Sequence, residues 1–334
     1  MKSVGYYTKG GTETLVEIEL PMPQPGPRDL LVSVRAVSVN PVDVKRRRWE
    51  DPADGSTHRI LGYDAAGVVT AVGSAVTLFK PGDEVFYAGA MDRPGTNSEF
   101  HLVDERIVGP KPRSLSFAQA AALPLTSITA WEILFDRMKM PYGAKTPYGT
   151  LLILNGAGGV GSILTQLAAR LTGLTVIATA SRPESMDWVE ELGAHYVADH
   201  SKPIDEALRT IGFEEVDYIA AITTTAGSAA ALVRALKPHG HITLIDNFDE
   251  SIMPFKAKSI TVSWEMMFTR SLFQTPDMDS QNRLLREVSS LIDLNVLKTT
   301  LTQVVGPMGV DTLRAAHRLV ESGRTIGKIA LEHF

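Results

Sequence analysis

A chain of 334 residues exceeds one ordinary core and predicts two domains, at roughly 100–200 residues each. With 44% hydrophobic and 21% charged residues it can bury a large core, and a formal charge of −5 argues against a nucleic-acid protein held by general phosphate attraction. It contains no cysteine, which excludes disulfides, thiolate nucleophiles, iron–sulfur clusters and any zinc site that needs a sulfur ligand. The opening Met1-Lys2-Ser3-Val4-Gly5-Tyr6 lacks the apolar run of a signal peptide, and no apolar stretch reaches the roughly 18 residues of a membrane span. A soluble, cytoplasmic protein is expected.

The first third reads as β. Strand-like runs at 4–7, 16–20, 30–39, 67–72 and 84–86 are broken by Gly and Pro, as in Pro21-Met22-Pro23-Gln24-Pro25-Gly26-Pro27 and Pro81-Gly82-Asp83. That spacing predicts an irregular barrel or sandwich. The run Lys45-Arg46-Arg47-Arg48 reads as a solvated basic surface, with attraction of an anionic substrate as the other reading, and Trp49 reads as a loop aromatic. The Ala-rich stretch 116–123 predicts a helix with Ser116 as N-cap. From about residue 148 the period changes. Strands at 151–154, 175–178, 196–197, 218–222 and 242–245 alternate with helices at 160–171, 185–192, 204–211 and 227–236. Such alternation indicates a parallel, doubly wound sheet. His239-Gly240-His241 has metal-like spacing but no third ligand nearby, so it reads as a turn before a strand. The tail predicts helices at 280–294 and 310–320 and a last strand at 328–331.

The segment Gly156-Ala157-Gly158-Gly159-Val160-Gly161 contains G-x-G-x-x-G between an apolar strand and an amphipathic helix, the context that the motif requires. Gly156 suits the tight turn, Gly158 leaves bare backbone for a pyrophosphate, and Gly161 lets the helix lie close on the sheet. The N–H groups at the helix start and the positive end of its dipole would hold the phosphates. An NAD site places Asp or Glu about 20 residues after this turn. Here the second strand ends in Thr179-Ala180-Ser181-Arg182, with no acid until Glu184. Ser181 and Arg182 suit the extra 2′-phosphate, so NADPH is the expected cofactor.

Several ordered segments resemble the medium-chain dehydrogenase/reductase superfamily, closest to its zinc-free quinone oxidoreductase (zeta-crystallin-like) branch and to zinc-type alcohol dehydrogenase-like proteins. They are Val39-Asn40-Pro41-Val42-Asp43, the stretch 61–69, Gly73 with 79–85, the stretch 121–130, the glycine turn, and 323–331 with Gly327-Lys328-Ile329. The resemblance implies an α/β architecture: a GroES-like β-barrel catalytic domain at 1–125, a Rossmann domain at 126–268, and a return to the catalytic domain at 269–334. It places the substrate cleft between the two domains, Thr126 and Thr129 at the nicotinamide end of the cofactor, and Lys328 at a cofactor phosphate or in the cleft. A homodimer follows from the same resemblance, with an edge strand at 260–264 as the contact. Thr223 and Asn247 end Rossmann strands and should face the cofactor crevice. Met266, Met267 and Phe268 read equally as an apolar lid or as core.

The departures from the family matter as much. The zinc ligands of the alcohol dehydrogenases align with Asn40, Tyr63 and a position near Leu125, so no zinc is expected. The chemistry left is hydride transfer from NADPH to an acceptor that is already electrophilic, a quinone or an α,β-unsaturated carbonyl. Asn40 would donate an amide hydrogen and Tyr63 a phenolic proton, each with a purely structural role as the alternative. Asp43 and Asp64 read as loop-fixing or cation-pairing groups. A metal-free carbonyl or alcohol dehydrogenase, and a non-catalytic NADPH-binding sensor or structural protein, are the competing functions.

Overall fold

The computed structural model describes residues 1–53, 55–144 and 146–333. Two compact units emerge: Met1–Ile128 with Phe268–Phe334, and Thr129–Met267. The sequence reading drew its boundaries at 125/126 and 268/269.

The first unit is the β-rich one. Its long strand Asp29–Ser38 pairs antiparallel with Ala65–Val72, Phe100–Asp104 and Lys328–Glu332, so the chain's last strand returns to its beginning. Glu84–Tyr87, Val108–Pro110 and Leu301–Gly306 complete the seven-stranded sheet. A smaller sheet joins Val16–Glu19, Lys2–Tyr6 and Arg59–Ile60. In the return ladder Ala330 lies opposite Ser38. Continued by two residues on each strand, that register sets Lys328 beside Asn40.

A helix that the sequence reading did not anticipate, Pro41–Trp49, follows the long strand. Its start has a local cause. Asn40 is extended, Pro41 supplies a ready helical φ at the first position, and the Asp43 carboxylate accepts the Asn40 N–H at 2.8 Å. This helix corrects the reading of the basic run as a solvated face. Helical spacing turns Asp43, Val44, Arg46 and Arg47 inward and leaves Lys45, Arg48 and Trp49 outside. The Arg47 guanidinium is fully buried; it donates to the Gly10 carbonyl at 2.6 Å, to His317 Nδ1 at 3.3 Å, and to the Glu321 carboxylate. Burial drives the His317 imidazole down to about 3, with the Arg47 charge acting the same way, so it packs as a neutral ring.

The second unit carries a six-stranded, all-parallel sheet. Across it lie Tyr196–Ala198, Leu174–Thr179, Gly149–Leu154, Val216–Ala221, Leu236–Leu244 and Thr261–Trp264. Numbered along the chain, that is the order 3-2-1-4-5-6 of the dinucleotide-binding fold. Leu152, Ile177, Ile219 and Ile242 stack through the sheet's centre with Leu232 and Leu236, all fully buried. The expected turn at 239–241 is instead inside the strand Leu236–Leu244, with His239 left-handed at φ 64°. Among the described residues no helix is long and apolar enough to cross a membrane.

Arg47→Met removes the buried member of this ion pair and leaves the Gly10 carbonyl and His317 Nδ1 without their donor, while the Glu321 carboxylate, on an exposed residue, returns to water. It should cost about 2 kcal/mol in urea unfolding, whereas Arg48→Met should stay within about 0.5 kcal/mol. Equal, small losses at both positions would return the whole run to the solvent.

Candidate functional site

The glycine turn takes its shape from Asn155, which adopts the left-handed conformation at φ 58°. The sequence reading gave that turn to Gly156, whereas asparagine tolerates the conformation through its short polar side chain. Gly156 is needed for closeness instead: a Cβ there would stand 2.7 Å from the Ala178 Cβ on the neighbouring strand. At Gly161 a Cβ would meet the Asn155 carbonyl oxygen at 2.3 Å, so only glycine lets the helix Gly159–Leu171 sit this low on the sheet. Gly158 is extended and caps that helix. Gly158, Gly159 and Val160 remain partly exposed, and the first N–H groups of the helix lie ahead of any intrahelical acceptor. Bare backbone, unused donors and the positive end of the helix dipole fit a pyrophosphate.

Around this turn the other expected cofactor residues take the following places. Ser181 is exposed, and Arg182 is half-buried as N-cap of Pro183–Glu191, with Nη1 3.3 Å from Glu184 Oε1. Thr223 and Asn247 are both exposed just beyond the carboxyl ends of Val216–Ala221 and Leu236–Leu244. Thr126 and Thr129 lie buried on the helix Pro124–Trp131, and the Thr126 hydroxyl donates to the Leu123 carbonyl at 3.1 Å. The sequence reading missed Asn155 and Thr179, which tie the turn together: Thr179 Oγ1 accepts the Asn155 N–H at 2.9 Å and lies 3.1 Å from His200 Nδ1. The Asn-Gly pair ending an apolar strand was the available signal. Of the expected apolar lid, Met266 is half-exposed while Met267 and Phe268 are buried.

In the first unit, Asn40, Asp43, Asp64 and Lys328 form one buried cluster. Asp64 Oδ2 accepts from Ser38 Oγ at 2.7 Å and Asn40 Nδ2 at 2.8 Å, and lies 3.2 Å from Lys328 Nζ. Asp64 Oδ1 accepts the Leu125 N–H at 2.8 Å. Lys328 Nζ also donates to the Val39 carbonyl at 3.0 Å and to Asn40 Oδ1 at 2.5 Å. The expectation that Lys328 meets a cofactor phosphate is therefore corrected: its ammonium has three donors, and three buried oxygens occupy them. Burial lowers the Lys328 pKa against the pull of Asp64, and raises that of Asp64 against the pull of Lys328. Asp43 accepts the N–H groups of Asn40 at 2.8 Å and Gly62 at 2.9 Å. Burial pushes its carboxyl up to about 7, opposed by those bonds and by Lys328.

Tyr63 stands at the edge of this cluster. Its ring is 1% exposed and lies edge-on to Phe268, with centroids 5.2 Å apart. Its hydroxyl oxygen accepts from Arg46 Nη1, and the Arg46 guanidinium carbon is 5.7 Å from the ring centroid. Burial raises the phenol pKa and the Arg46 charge works against that rise.

A zinc ion does not fit these residues. Asn40 is bonded through both its amide nitrogen and its carbonyl, the Tyr63 oxygen faces a cation, and Leu125 offers only backbone. Among the described residues no three His, Cys, Asp or Glu side chains gather where an ion could be held.

Residues 26–124 match the alcohol dehydrogenase GroES-like domain family, and residues 192–331 the zinc-binding dehydrogenase family. A zinc-type alcohol dehydrogenase-like protein of Staphylococcus aureus is 42% identical over 312 residues, 92% of each chain. The NADPH-dependent alkenal/one oxidoreductase of Arabidopsis thaliana chloroplasts is 36% identical over 72% of this chain and 64% of its own. Among solved structures, a Rhizobium etli protein assigned to the zinc-dependent alcohol dehydrogenases superposes with a TM-score of 0.94 at 52% identity, covering 100% of this chain and 98% of that one. The Escherichia coli quinone oxidoreductase in complex with NADPH superposes with a TM-score of 0.85 at 25% identity, covering 99% and 100%.

Lys328→Met and Asp64→Asn should each destabilise the protein by about 3 kcal/mol, since each leaves a buried charge without its partner. In urea unfolding the double variant should cost at least about 1 kcal/mol less than the sum. Strict additivity would show that the two groups do not interact.

Proposed function

The chain belongs to the medium-chain dehydrogenase/reductase superfamily, and from that premise we propose that it is an NADPH-dependent, metal-independent reductase of quinones and α,β-unsaturated carbonyls. One observation carries the reading. Where relatives with a metal present zinc ligands, this chain presents a buried phenol held by a guanidinium and an amide locked into an ion-paired cluster. That set provides a proton and a positive field but no ligand for a Lewis acid. An isolated ketone or alcohol needs strong polarisation before hydride moves, whereas a quinone or enone is electrophilic already.

In this reading the residues divide the work. The backbone from Gly156 to Gly161 holds the pyrophosphate, and Ser181 and Arg182 meet the 2′-phosphate. Thr223 and Asn247 line the crevice at the strand ends, and Thr126 and Thr129 bound the nicotinamide. Bound NADPH supplies the hydride. Tyr63 protonates the acceptor oxygen, while Asn40, braced by Asp64 and Lys328, fixes the loop beside it. The names of the Arabidopsis and Escherichia coli relatives, one for an alkenal/one and one for a quinone, support this acceptor class. A homodimer through the sheet's edge strand Thr261–Trp264 belongs to the same reading, supported by the half-exposed Trp264 on that unpaired edge.

The protein should oxidise NADPH in the presence of 9,10-phenanthrenequinone, 1,4-naphthoquinone or a short enone, at a rate that a chelator leaves unchanged. Tight NADPH binding without turnover of any of the three would point to the non-catalytic sensor, and activity lost to a chelator would end the metal-free reading. For the cofactor, Arg182→Ala should weaken NADPH at least about tenfold by calorimetry, a loss of about 1.4 kcal/mol, and leave NADH within about twofold. An equal loss for both nucleotides would remove Arg182 from the 2′-phosphate.

A further inference from the structure

Arg46 belongs to the run that the sequence presented as a surface, yet it is 9% exposed and fixed on three sides. Its Nε donates to Glu50 Oε2 at 2.8 Å, and its Nη1 to the Met91 carbonyl at 3.0 Å and to the Tyr63 hydroxyl. Arg59 Nη1 reaches the same Glu50 oxygen at 2.6 Å. Two guanidinium groups thus share one carboxylate, and the group keeps a positive charge in excess beside the phenol.

The chemistry of that contact is one-directional. A guanidinium has donors and no acceptor, so the Tyr63 oxygen must be the acceptor and its own proton takes no part in the bond. Among the described residues nothing else accepts that proton. Tyr63 is thus a buried donor without an acceptor, an arrangement that normally costs free energy and is uncommon in folded proteins. The Phe268 edge fixes the ring, and the guanidinium occupies one lone pair of the oxygen. The phenolic hydrogen is left to point away from Arg46.

We propose that Arg46 is a positioning residue that makes Tyr63 the proton donor of the reduction, by turning the phenolic proton away from itself, where no other group accepts it, and stabilising the phenolate left after transfer. This rests on the quinone and enone reading given above. In the step, the Tyr63 Oη–H bond breaks and an O–H bond forms on the acceptor oxygen, which carries the negative charge left by hydride addition. The charge passes to Tyr63, where it faces Arg46, and water restores the proton. No further oxidant or reductant enters. The directions of the phenol's pKa agree: burial makes Tyr63 a reluctant acid, the Asp43 carboxylate adds to that, and Arg46 is the first of the opposing influences, with Arg59 behind it.

The test uses the full chain labelled with 2,3,5-trifluorotyrosine, whose ring fluorines bring the phenol's ionisation down into the range the folded protein survives, with the 19F resonances of residue 63 assigned as those missing in Tyr63→Phe. In Arg46→Gln their titration midpoint should rise by at least about one pH unit relative to the wild type, with Arg46→Lys between the two. With a short enone, kcat of Arg46→Gln should fall at least about tenfold at unchanged KM for NADPH, the alkaline limb of the pH profile should move up, and Arg46→Lys should recover part of the rate. A midpoint that stays in place in Arg46→Gln overturns the proposal, and so does a shifted midpoint with unchanged kcat and pH profile. If Arg46→Gln does not fold, the Arg46→Lys midpoint and pH profile decide by the same criteria. A wild type that turns over neither enone nor quinone overturns the functional reading instead, and the midpoint shift then still shows that Arg46 governs the phenol.

Discussion

The contact on which the first unit depends is the buried pair of Lys328 and Asp64. An ammonium and a carboxylate taken out of water recover their hydration only if every donor and acceptor finds a partner. Here they do. Asp64 collects a hydroxyl, an amide, a backbone N–H and the ammonium, while Lys328 bonds three oxygens. The partners come from the long first-unit strand, the Asn40 cap with Val39 before it, the first turn of Pro124–Trp131, and the last strand of the chain. The pair therefore ties together pieces of sequence nearly 300 residues apart. It also explains why the C-terminal strand must pair where it does, since a slip by one residue would turn Lys328 to the other face of the sheet.

Asp43 shows the limit of this compensation. One cation serves two buried carboxylates, and it lies on Asp64 rather than on Asp43. Asp43 is held by two backbone N–H groups, and burial raises its carboxyl to about 7 where a solvated aspartate loses its proton near 4. Its structural duty, closing the start of Pro41–Trp49 and fixing Gly62, requires the oxygens but not the full charge. Gly62 itself is left-handed at φ 111°, and a Cβ there would meet Thr96 Oγ1 at 2.4 Å. The backbone leading into Tyr63 is thus set from both sides, by Asp43 on its N–H and by Thr96 against its α-carbon.

How much of this the sequence revealed depends on distance along the chain. The parallel sheet and its glycine turn are legible because their signals are local: strand, turn and helix follow one another within about 20 residues. That Asn40 and Tyr63 stand at the family's zinc-ligand positions is legible because it is a matter of residue type. The burial of Arg46 and Arg47 is not, because helical geometry selects which arginines turn inward and their partners Tyr63, Met91, Gly10, His317 and Glu321 are remote in sequence. Lys328 misled for the same reason. A lysine beside a glycine near a C-terminus has no local feature that separates a phosphate ligand from the counter-ion of a distant aspartate. Asn155 lies between these cases: its identity before Gly156 was visible, but its left-handed backbone shows only in three dimensions.

In the proposed mechanism Tyr63 and Arg46 stand where a metal ion would polarise the acceptor, and that changes the physics of the site more than its charge. A divalent ion draws electrons from the acceptor oxygen before hydride arrives and needs no proton to do so. A phenol backed by a guanidinium acts late, as charge develops, and ends by giving its hydrogen away. Its stabilisation follows the reaction rather than leading it, which suits acceptors whose conjugation already disperses the incoming electron pair. The same logic accounts for the depth of the arrangement. In water Arg46 would scarcely alter a tyrosine, because exposed charges at this separation interact weakly. Buried together with Phe268 across the ring and Glu50 anchoring the guanidinium, the two groups act on each other through a medium that screens them far less.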